Sequence, residues 1–564
     1  MKLVVIGGVA GGASTAARVR RLDHDAEIVV FEKGEHVSYS NCALPYHLSG
    51  TVEDGDSLVL MTPEAFKNTH NIEVRVNSEV VKINREEKTV TVNAPCGEYK
   101  ESYDKLVIAT GAAPVMPKSI KGIDGDNVFV VRNVTDIKKL KARVDSDEVR
   151  KIAVVGGGFI GVEVAENLKH AGKDVCLIEG MNQIMAPFDY DMVQILHKEM
   201  DDNGVKLYLS SSVSAIGDGF VTAVKDGEEF SVEADAVVMA IGVRPETGLA
   251  VDAELEIGVT GGIKVNHNYQ TSDMDIYAVG DVIESFNSLT HKPGRLALAG
   301  PAQRQARAAA DHMYGIHHNN KGFIGSSCVR IFGQNAASTG LNCKTAAKEG
   351  FNYDYAIVLP PDKVGLMPDS NYLAFKLIFE VPTGRILGAQ AIGRGAADKR
   401  IDVIAAMITM GATLEDLKEL ELCYSPVFGT AKDVVNYAAL AALNILYGRS
   451  RQVHLEDVRA LVESGAYIID VRDAEEYEKG HIVTSHNIPM NELTARKDEI
   501  PTDRPVYVHC RTSHRSYYAF SYLKGMGFTN VWNIQGSYLG ISLYEYFNDK
   551  NEGRKPILTD YNFE

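Results

Sequence analysis

The sequence of 564 residues predicts an α/β protein with two doubly wound nucleotide-binding units and a separate α/β unit at the C-terminal end. Two observations predict this fold class. A hydrophobic strand that runs into a glycine turn and a helix occurs twice, as "LVVIGGVAGG" (3–12) and "IAVVGGGFIG" (152–161). The composition then resets after "ALNILYGRS" (442–450), where a fresh pattern of helices and strands begins.

Composition and charge narrow the classes of function. The net charge of −17 disfavours general binding to nucleic acids or anionic membranes. No apolar run approaches the roughly 18 residues that cross a bilayer. The seven cysteines have no pairing spacing, and Cys176 and Cys328 lie on apolar runs that we expect in the core. We therefore expect a cytoplasmic protein with free thiols and no metal centre.

The second copy of the repeat contains the complete G-x-G-x-x-G pattern, formed by Gly156, Gly158 and Gly161. The first glycine permits the tight turn, the second lets the backbone approach a pyrophosphate, and the third lets the helix pack on the strand. The following strand ends in Glu179, which suits hydrogen bonds from a ribose 2′-hydroxyl and repels a 2′-phosphate. This copy therefore predicts binding of NADH rather than NADPH.

The first copy is less complete, because Val9 replaces the middle glycine and Gly7 and Gly12 carry the turn. Its second strand, "EIVVFEK", ends in Glu32, as the matching strand of the other copy ends in Glu179. Two glycine turns, each followed by an acidic residue at the expected distance, favour two nucleotide sites over unrelated glycine turns.

Further segments repeat downstream, since "KLVIATGAAP" (105–114) parallels "AVVMAIGVRPE" (236–246). The segment "TSDMDIYAVGDVIE" (271–284) then adds a strand that ends at Asp281 and returns the chain to the first unit. Together with the glycine turns, these motifs resemble the flavoprotein pyridine nucleotide–disulfide oxidoreductases.

The resemblance implies a domain layout and a set of cofactor contacts. FAD would bind a discontinuous domain, 1–112 and 245–323, NADH would bind 113–244, and an α+β dimerisation domain would span 324–446. Asp281 would lie near the ribityl chain of the flavin. The residues that this places around FAD are Gly7, Gly12, Glu32, Thr110, Gly111, Asp281 and Gln303.

A solitary cysteine, Cys42 in "SYSNCALPYHLSG" (38–50), lacks the second cysteine of most family members. It resembles the single-cysteine branch: coenzyme A–disulfide reductases, NADH oxidases and NADH peroxidases. The oxidases and peroxidases carry a histidine where this sequence has Ala10, whereas "SNCALPY" resembles the coenzyme A-dependent reductases. A lone thiolate at Cys42 would then form a mixed disulfide with coenzyme A.

Coenzyme A requires positive charge for its phosphates, and Arg18 and Arg21 share one face of the first helix. The resemblance adds Tyr424, which would approach Cys42 from the partner subunit of a homodimer. A second tyrosine of the family is replaced by Leu366 or Met367. The residues implied for coenzyme A are Ser14, Arg18, Arg21, Ser38, Asn41, Lys67 and Lys432.

The sequence suggests roles for two residues at the second glycine turn without deciding between them and the alternatives. In this branch, an aromatic at the position of Phe159 can cover the flavin until NADH displaces it, but packing of helix against strand is an equal alternative. Glu163 lies one helical turn later, where it can approach the nicotinamide.

The C-terminal unit contains "YIIDVRDAEEYEKGHI" (467–482) and "PVYVHCRTSHRS" (505–516), which resemble the rhodanese signature. The domain would span 453–550, and the tail 551–564 has no counterpart. Four residues separate cysteine and arginine in its loop, one fewer than in tyrosine phosphatases. The inward N–H groups of such a loop form an anion nest that suits a persulfide. The loop comprises Cys510, Arg511, Thr512, Ser513, His514 and Arg515.

The sequence therefore predicts NADH-driven, FAD-dependent reduction of coenzyme A persulfide, polysulfide or coenzyme A disulfide at Cys42, with Cys510 handling sulfane sulfur. Three alternatives stay open: a plain coenzyme A–disulfide reductase, an NADH oxidase, and a persulfide-responsive redox sensor.

Overall fold

A computed structural model describes residues 1–563, and Glu564 lies outside the described residues. The chain forms two compact units, the first comprising 1–182 and 208–323 and the second comprising 183–207 and the residues from 324 onward. Within residues 1–563, no helix combines the length and the apolar character needed to cross a membrane.

The first unit contains a five-stranded parallel sheet built around the N-terminal strand Lys2–Ile6. This strand is almost wholly apolar and buried, as expected where helices cover both faces of a parallel sheet. Helices Ala10–Leu22 and Ala299–Met313 pack together beside it. The strand order is Ile276–Ala278, Lys105–Ile108, Lys2–Ile6, Glu27–Phe31 and Glu73–Arg75. The strand that precedes Asp281 thus lies in the same sheet as the first glycine turn.

The second copy of the repeat forms a second parallel sheet. Its neighbouring strands are Asp174–Ile178, Lys151–Val155, Ala236–Met239 and Val128–Phe129, and the helix Phe159–His170 follows its glycine turn. Strand Lys206–Tyr208 spans the boundary between the two units.

Each copy also contains a three-stranded antiparallel meander that the sequence reading does not predict. The meanders comprise Glu79–Asn84, Thr89–Ala94 and Gly97–Ser102 in the first copy, and Ser212–Gly217, Phe220–Lys225 and Glu228–Glu233 in the second. The repeat is therefore longer than its glycine motifs indicate.

Shorter elements complete the first unit. Its remaining strands are Ala112–Pro114, Val243–Pro245, Ile263–Lys264, Ile283–Phe286 and Pro293–Gly294. Its remaining helices are the 3₁₀ helices Asn41–His47 and Gly55–Leu58 and the α-helices Pro63–His70, Val134–Val144 and Gly248–Asp252.

The second unit begins with a five-stranded antiparallel sheet. The strand order is Ser327–Ile331, Gln334–Gly340, Ile386–Gly393, Leu373–Glu380 and Tyr353–Val358. The helices of this part are Tyr190–Asp202, Cys343–Lys348, Ala397–Thr409, Leu414–Lys418 and Val434–Leu446. The prediction of a core position is correct for Cys176, which is buried, and wrong for Cys328, which is exposed. Ser327–Ile331 is an edge strand with alternating burial, and Cys328 points outward from it.

The C-terminal part of this unit is a five-stranded parallel sheet flanked by helices. The strand order is Gln452–Val453, Val531–Ile534, Val506–His509, Tyr467–Asp470 and Ser485–Asn487. The helices are Leu455–Glu463, Ala474–Glu478, His514–Gly525 and Ser537–Glu552, with 3₁₀ helices Met490–Glu492 and Lys497–Glu499. The predicted fold class is confirmed: two doubly wound nucleotide-binding folds, an α+β part and a C-terminal α/β part.

A buried lysine fixes the helix Tyr190–Asp202 to the antiparallel sheet. Lys376 Nζ lies 3.1 Å from Asp189 Oδ2 and 2.7 Å from Asp191 Oδ2. It also lies 3.8 Å from the centroid of the Tyr355 ring. The two carboxylates raise the pKa of Lys376 despite the opposing effect of burial, so the lysine stays charged.

We expect Lys376→Met to lower the free energy of unfolding by about 3–5 kcal/mol, because it leaves two buried carboxylates without their cation. Urea denaturation of the variant and the unaltered protein measures the difference. Lys399→Met is the matched control, since Lys399 is 73% exposed beside Asp398 and Asp402. Equal losses in the two variants would contradict a stabilising role for the buried cluster.

Candidate active sites

Both glycine turns depend on a backbone contact that no other residue permits. Gly7 and Gly156 have φ angles of +98° and +109°, which L side chains rarely adopt. A Cβ atom on Gly12 would lie 1.8 Å from the Gly7 oxygen, and one on Gly161 would lie 1.9 Å from the Gly156 oxygen. The N-terminus of each helix is therefore held against the end of its strand.

The second turn leaves room for a ligand at its middle glycine. A Cβ atom on Gly158 would meet no heavy atom within 4 Å, so the space at the start of the helix is open. Glu179 Oε2 accepts the N–H of Gly157 at 2.6 Å, and Glu179 Oε1 accepts the N–H of Met181 at 2.8 Å. The carboxylate is thus fixed beside the turn, where helix N–H groups attract a pyrophosphate.

The first turn opens into a cavity of about 320 Å³. Glu32 is fixed there as Glu179 is fixed in the other copy, accepting the N–H of Gly8 at 3.0 Å and of Gly34 at 2.9 Å. Burial raises the pKa of Asp281 at the same cavity. The residues around the cavity include Gly7, Glu32, Tyr39, Asn41, Thr110, Gly111, Arg132, Glu246 and Asp281. A glycine turn, a fixed acid and an open cavity fit an adenine dinucleotide.

Cys42 is the second residue of the 3₁₀ helix Asn41–His47 and is accessible to solvent. Its neighbour Asn41 lines the cavity at the first glycine turn. Partial burial raises the pKa of the Cys42 thiol, and the negative charges of Glu163 and Asp281 raise it further. The groups of this chain therefore favour the thiol over the thiolate that the sequence reading expects, and a thiolate here needs additional positive charge.

The residues predicted to bind coenzyme A are only partly brought together. Ser14 donates to Gln303 Oε1 at 2.7 Å, which joins two predicted site residues. Arg18 already forms an ion pair with Asp311 at 2.6 Å, whereas Arg21 is exposed at the end of the same helix. The others lie on loops and short helices: Ser38 has a φ of +50°, Asn41 is exposed, and Lys67 Nζ donates to Asn71 Oδ1 at 2.8 Å.

Glu163 and Phe159 lie on the helix that follows the second glycine turn. Phe159, its first residue, is half-buried. Burial, together with the negative charge of Glu166, raises the pKa of Glu163 to about 7, and a hydrogen bond from Tyr46 opposes the shift. Glu163 can therefore hold or release a proton near neutral pH.

In the second unit, Tyr424 and Lys432 lie on the exposed segment between helices Leu414–Lys418 and Val434–Leu446. Leu366, which with Met367 is one of the two candidates for the place of the family's second tyrosine, is 86% exposed. Val427 and Phe428 beside Tyr424 are exposed as well, so this segment presents apolar surface to solvent.

The Cys510 loop connects strand Val506–His509 to helix His514–Gly525. Cys510 is only 1% exposed, and its N–H donates to Ser537 Oγ at 3.1 Å. Ser513 closes the loop in the left-handed conformation, with a φ of +70°. The loop lines a cavity of about 380 Å³ whose residues are Tyr372, Glu476, Cys510, Arg511, Thr512, His514 and Arg515.

The charges of this loop are not equivalent. Arg515 forms two parallel hydrogen bonds to Glu476, at 2.6 and 2.7 Å, which offset its charge. Burial lowers the pKa of His514, and the charge of Lys432 lowers it further, so His514 is neutral at neutral pH. Arg511 Nη1 donates to Asn562 O at 3.1 Å and Arg511 Nη2 to Asn562 Oδ1 at 3.3 Å.

The sequence analysis does not predict four residues of this site, which are Tyr372, Glu476, Ser537 and Asn562. Glu476 lies in the segment 467–482 that resembles the rhodanese signature, and as an acid it could have been considered as an ion partner of the loop arginines. Tyr372 comes from the antiparallel sheet region and Asn562 from the unassigned tail. They approach Cys510 only through the fold, so no local motif indicates them.

Paired glycine turns with fixed carboxylates, a solitary cysteine and a second cysteine in a loop with two arginines are typical of a dinucleotide-dependent thiol oxidoreductase joined to a sulfur-handling domain. The chain belongs to the pyridine nucleotide-disulphide oxidoreductase family, which matches residues 1–306. The dimerisation domain of that family matches 327–433, and a rhodanese-like domain matches 454–543. The predicted family and class of enzyme are confirmed, and membership implies FAD and NADH as cofactors.

Three proteins illustrate the likeness. The crystal structure of reduced CoADR-RHD from Bacillus anthracis is 41% identical, with a TM-score of 0.92 over 97% of this chain and 98% of that chain. The NAD-dependent persulfide reductase from A. fulgidus is 34% identical, with a TM-score of 0.90 over 96% of this chain and 100% of that chain. The coenzyme A disulfide reductase of Staphylococcus epidermidis is 34% identical over 440 residues, which cover 77% of this chain and 98% of the relative.

The unaltered protein should lose stability as pH rises, and we expect Glu163→Gln to abolish this loss. Because the folded pKa of about 7 exceeds the usual glutamate pKa of 4.5, the native state binds the proton more tightly than the unfolded chain does. The stabilisation is complete below the unfolded pKa and is lost as pH rises through the folded value, by about 3 kcal/mol at most.

Thermal unfolding of the holoenzyme between pH 5 and pH 8 measures this effect. The variant should gain stability relative to the unaltered protein as pH rises, whereas Glu229→Gln, at an exposed residue, should show no such trend. A constant difference between Glu163→Gln and the unaltered protein over this range would contradict a raised pKa.

Proposed function

We propose that the protein uses NADH to reduce coenzyme A persulfide, polysulfide or coenzyme A disulfide at Cys42, and that Cys510 takes or delivers sulfane sulfur. The single observation that carries this proposal is the presence of two solitary cysteines in different chemical settings. Cys42 follows the residue that lines the dinucleotide cavity, and Cys510 lies in a basic anion-binding loop. The names of the B. anthracis, A. fulgidus and S. epidermidis proteins support the same substrates.

The residues present fit FAD at the first turn. Gly7 and Gly12 would hold its pyrophosphate at the helix N-terminus, Glu32 its ribose, and Thr110, Gly111, Asp281 and Gln303 the remainder. When bound, FAD supplies hydride acceptance from NADH and delivery of an electron pair to a disulfide. The 320 Å³ cavity and the fixed Glu32 carboxylate support this assignment.

The residues of the second turn fit NADH. Gly156, Gly158 and Gly161 leave the helix N-terminus open to a pyrophosphate, and Glu179 is fixed to accept hydrogen bonds from a ribose. Its negative charge disfavours the 2′-phosphate of NADPH. Phe159 and Glu163 follow on the same helix, where they would control access to the nicotinamide and hold a proton near it.

Cys42 performs the sulfur chemistry. Its thiolate attacks the inner sulfur of coenzyme A persulfide, which forms Cys42–S–S–CoA and releases HS⁻. An electron pair from NADH then breaks this disulfide into the Cys42 thiolate and CoA–SH. The sum is CoA–S–SH + NADH → CoA–SH + HS⁻ + NAD⁺. With coenzyme A disulfide, the first step releases CoA–S⁻ instead.

The grip on coenzyme A would come from the residues around Cys42. Arg21 is the exposed cation of the first helix, and Ser14, Arg18, Ser38, Asn41 and Lys67 lie on the neighbouring elements named above. The negatively charged phosphates of coenzyme A would bind these cations, and this binding would bring the pantetheine thiol to Cys42.

A homodimer is part of this proposal. The dimerisation domain and the exposed apolar segment around Tyr424, Val427 and Phe428 support it, since such surface is normally covered. Tyr424 and Lys432 would then complete the Cys42 site of the partner subunit. A cytoplasmic location is proposed as well, because the seven cysteines show no pairing pattern in the sequence.

Separate substitutions of the two cysteines test the division of labour. Cys42→Ser should abolish NADH oxidation with coenzyme A disulfide, because no nucleophile then forms the mixed disulfide. Cys510→Ser should leave that reaction within about twofold and should abolish sulfur transfer from thiosulfate to cyanide, since the persulfide carrier is lost. NADH oxidation and thiocyanate formation are followed with the purified holoenzyme, and Cys96→Ser, at an exposed thiol, is the control.

Intact-mass spectrometry supplies the decisive arm. A coenzyme A adduct present in the oxidised unaltered protein and absent from Cys42→Ser supports the mixed disulfide. If Cys42→Ser still reduces coenzyme A disulfide at the normal rate, the proposal is wrong. Steady turnover with coenzyme A disulfide but none with coenzyme A persulfide would identify a plain disulfide reductase.

A further inference from the structure

His514 belongs to the Cys510 loop and has no role in the chemistry proposed above. It lines the cavity of about 380 Å³ together with Cys510, and it begins the helix His514–Gly525. Among the described residues around this cavity it is the one histidine, and histidine is the side chain whose ordinary pKa lies closest to neutral pH. A group that can exchange a proton near neutral pH thus lies in the same cavity as the thiol.

Two tyrosines constrain the ring of His514. Tyr518 lies one helical turn later, with its Oη 2.9 Å from His514 Nε2 and 4.7 Å between the ring centroids. The ring of Tyr437, on the helix Val434–Leu446, meets the His514 ring edge-on at 6.1 Å between centroids and 74° between planes. Asn444 on that helix donates to Tyr517 Oη at 3.1 Å, so the two helices are held side by side. The imidazole is therefore fixed from two directions.

The contact with Tyr518 engages one nitrogen of the His514 ring and leaves the other available. Within residues 1–563, Nδ1 of His514 has no hydrogen-bond partner, and the side chain is exposed. When Nε2–H donates to Tyr518 Oη, the lone pair of the neutral imidazole lies on Nδ1. This nitrogen can then accept a proton.

The surroundings of His514 keep its ring neutral, as a base must be before it accepts a proton. Partial burial lowers the pKa of His514, and the charge of Lys432 lowers it further. The N-terminal end of the helix also disfavours a cation at its first residue. The other titratable or charged groups that line the cavity or face the ring are Tyr372, Tyr437, Glu476, Cys510, Arg511 and Arg515. Glu476, the acid among these groups, is bound by Arg515 through two hydrogen bonds.

We propose that His514 is a catalytic residue of the Cys510 site, in which Nδ1 accepts the proton of a thiol that takes sulfur from Cys510. The inference rests on the proposed role of Cys510 as the sulfur carrier. The ionised form of a thiol is the nucleophile, and a thiol with the ordinary pKa of about 8.5 is only about 3% ionised at pH 7. A neutral base beside the persulfide removes this obstacle.

The transfer step balances without a further reactant. The acceptor R–SH gives its proton to His514 Nδ1, and its sulfur attacks the outer sulfur of the Cys510 persulfide. The electron pair of the sulfur–sulfur bond returns to Cys510, and His514 gives the proton to the new persulfide. The sum is Cys510–S–S⁻ + R–SH → Cys510–S⁻ + R–S–SH. The class of acceptor is therefore a thiol that is not ionised at neutral pH.

Two sulfur acceptors that differ in their protonation test this role in the full-length holoenzyme. Thiosulfate first converts Cys510 to its persulfide in a Cys42→Ser background, which keeps the other redox thiol out of the reaction. Glutathione must lose a proton to take the sulfur, whereas sulfite is in large part ionised at neutral pH and reacts as an anion. At pH 7, His514→Gln should lower the ratio of the glutathione rate to the sulfite rate about tenfold. The ratio should return to its normal value at about pH 9.5, where the thiol ionises unaided.

A second variant and two controls accompany this measurement. Tyr518→Phe removes the hydrogen bond to Nε2 and should lower the ratio about threefold. In a His514→Gln background it should change the ratio no further, because Tyr518 acts through His514. The controls are His486→Gln, at an exposed histidine of the same domain, and Tyr522→Phe, at a tyrosine whose hydroxyl contacts Thr494 instead. Neither control should alter the ratio.

An unchanged ratio in His514→Gln at pH 7, or a deficit that persists at pH 9.5, would overturn the inference. An equal fall caused by Tyr518→Phe in the His514→Gln background would overturn it as well. Intact-mass spectrometry separates these results from a failure of the proposed function. If thiosulfate adds no sulfur atom at Cys510, the proposed role of Cys510 is wrong and the inference ends with it. If the sulfur is added and sulfite removes it, while His514→Gln leaves the ratio unaltered, only the inference is wrong.

Discussion

Contact between a glycine and a carbonyl oxygen at each nucleotide turn is the constraint on which the first unit depends. A Cβ atom at Gly12 or Gly161 would lie within 2 Å of the oxygen of the first glycine of its turn. Since the helix can therefore start directly on the strand end, its N–H groups face the edge of the sheet. The residue after that first glycine, Gly8 or Gly157, donates its N–H to the acid of the next strand. The helix N-terminus and the acid of the next strand thus lie at the same glycine turn, where the proposed function places a pyrophosphate and a ribose.

Sequence reasoning recovered the features that are encoded locally. The glycine turns, the return strand before Asp281 and the Cys510 loop each consist of residues within about ten positions, and each imposes its own backbone geometry. Features that depend on distant residues were missed. Lys376 lies in the apolar run "YLAFKLIFE", and no residue near it in the sequence indicates that Asp189 and Asp191 pair with it. The burial of a cysteine on an edge strand likewise depends on sheet order, which a single apolar run does not contain.

The two thiols differ in what the protein offers them. Around Cys42 the charged groups that act on the thiol are Glu163 and Asp281, both of which oppose ionisation. Around Cys510 the loop supplies Arg511 and Arg515, and the Glu476 carboxylate offsets the charge of Arg515. A thiol of the first kind becomes a nucleophile when its ligands bring compensating charge or hydrogen bonds. A thiol of the second kind already lies beside basic side chains of its own loop.

The packing of the helix that carries Cys42 favours a disulfide partner from outside the chain, as proposed above. Leu44, Pro45 and His47 are buried, and His47 is fixed by a 2.8 Å contact between its Nδ1 and Val52 O. Tyr46, between them, is engaged with Glu163. The residues after Cys42 are thus committed to packing, and a second sulfur on this helix would have to replace one of them at the cost of a cavity. A sulfur atom delivered by a substrate meets no such obstacle, because Cys42 itself faces solvent.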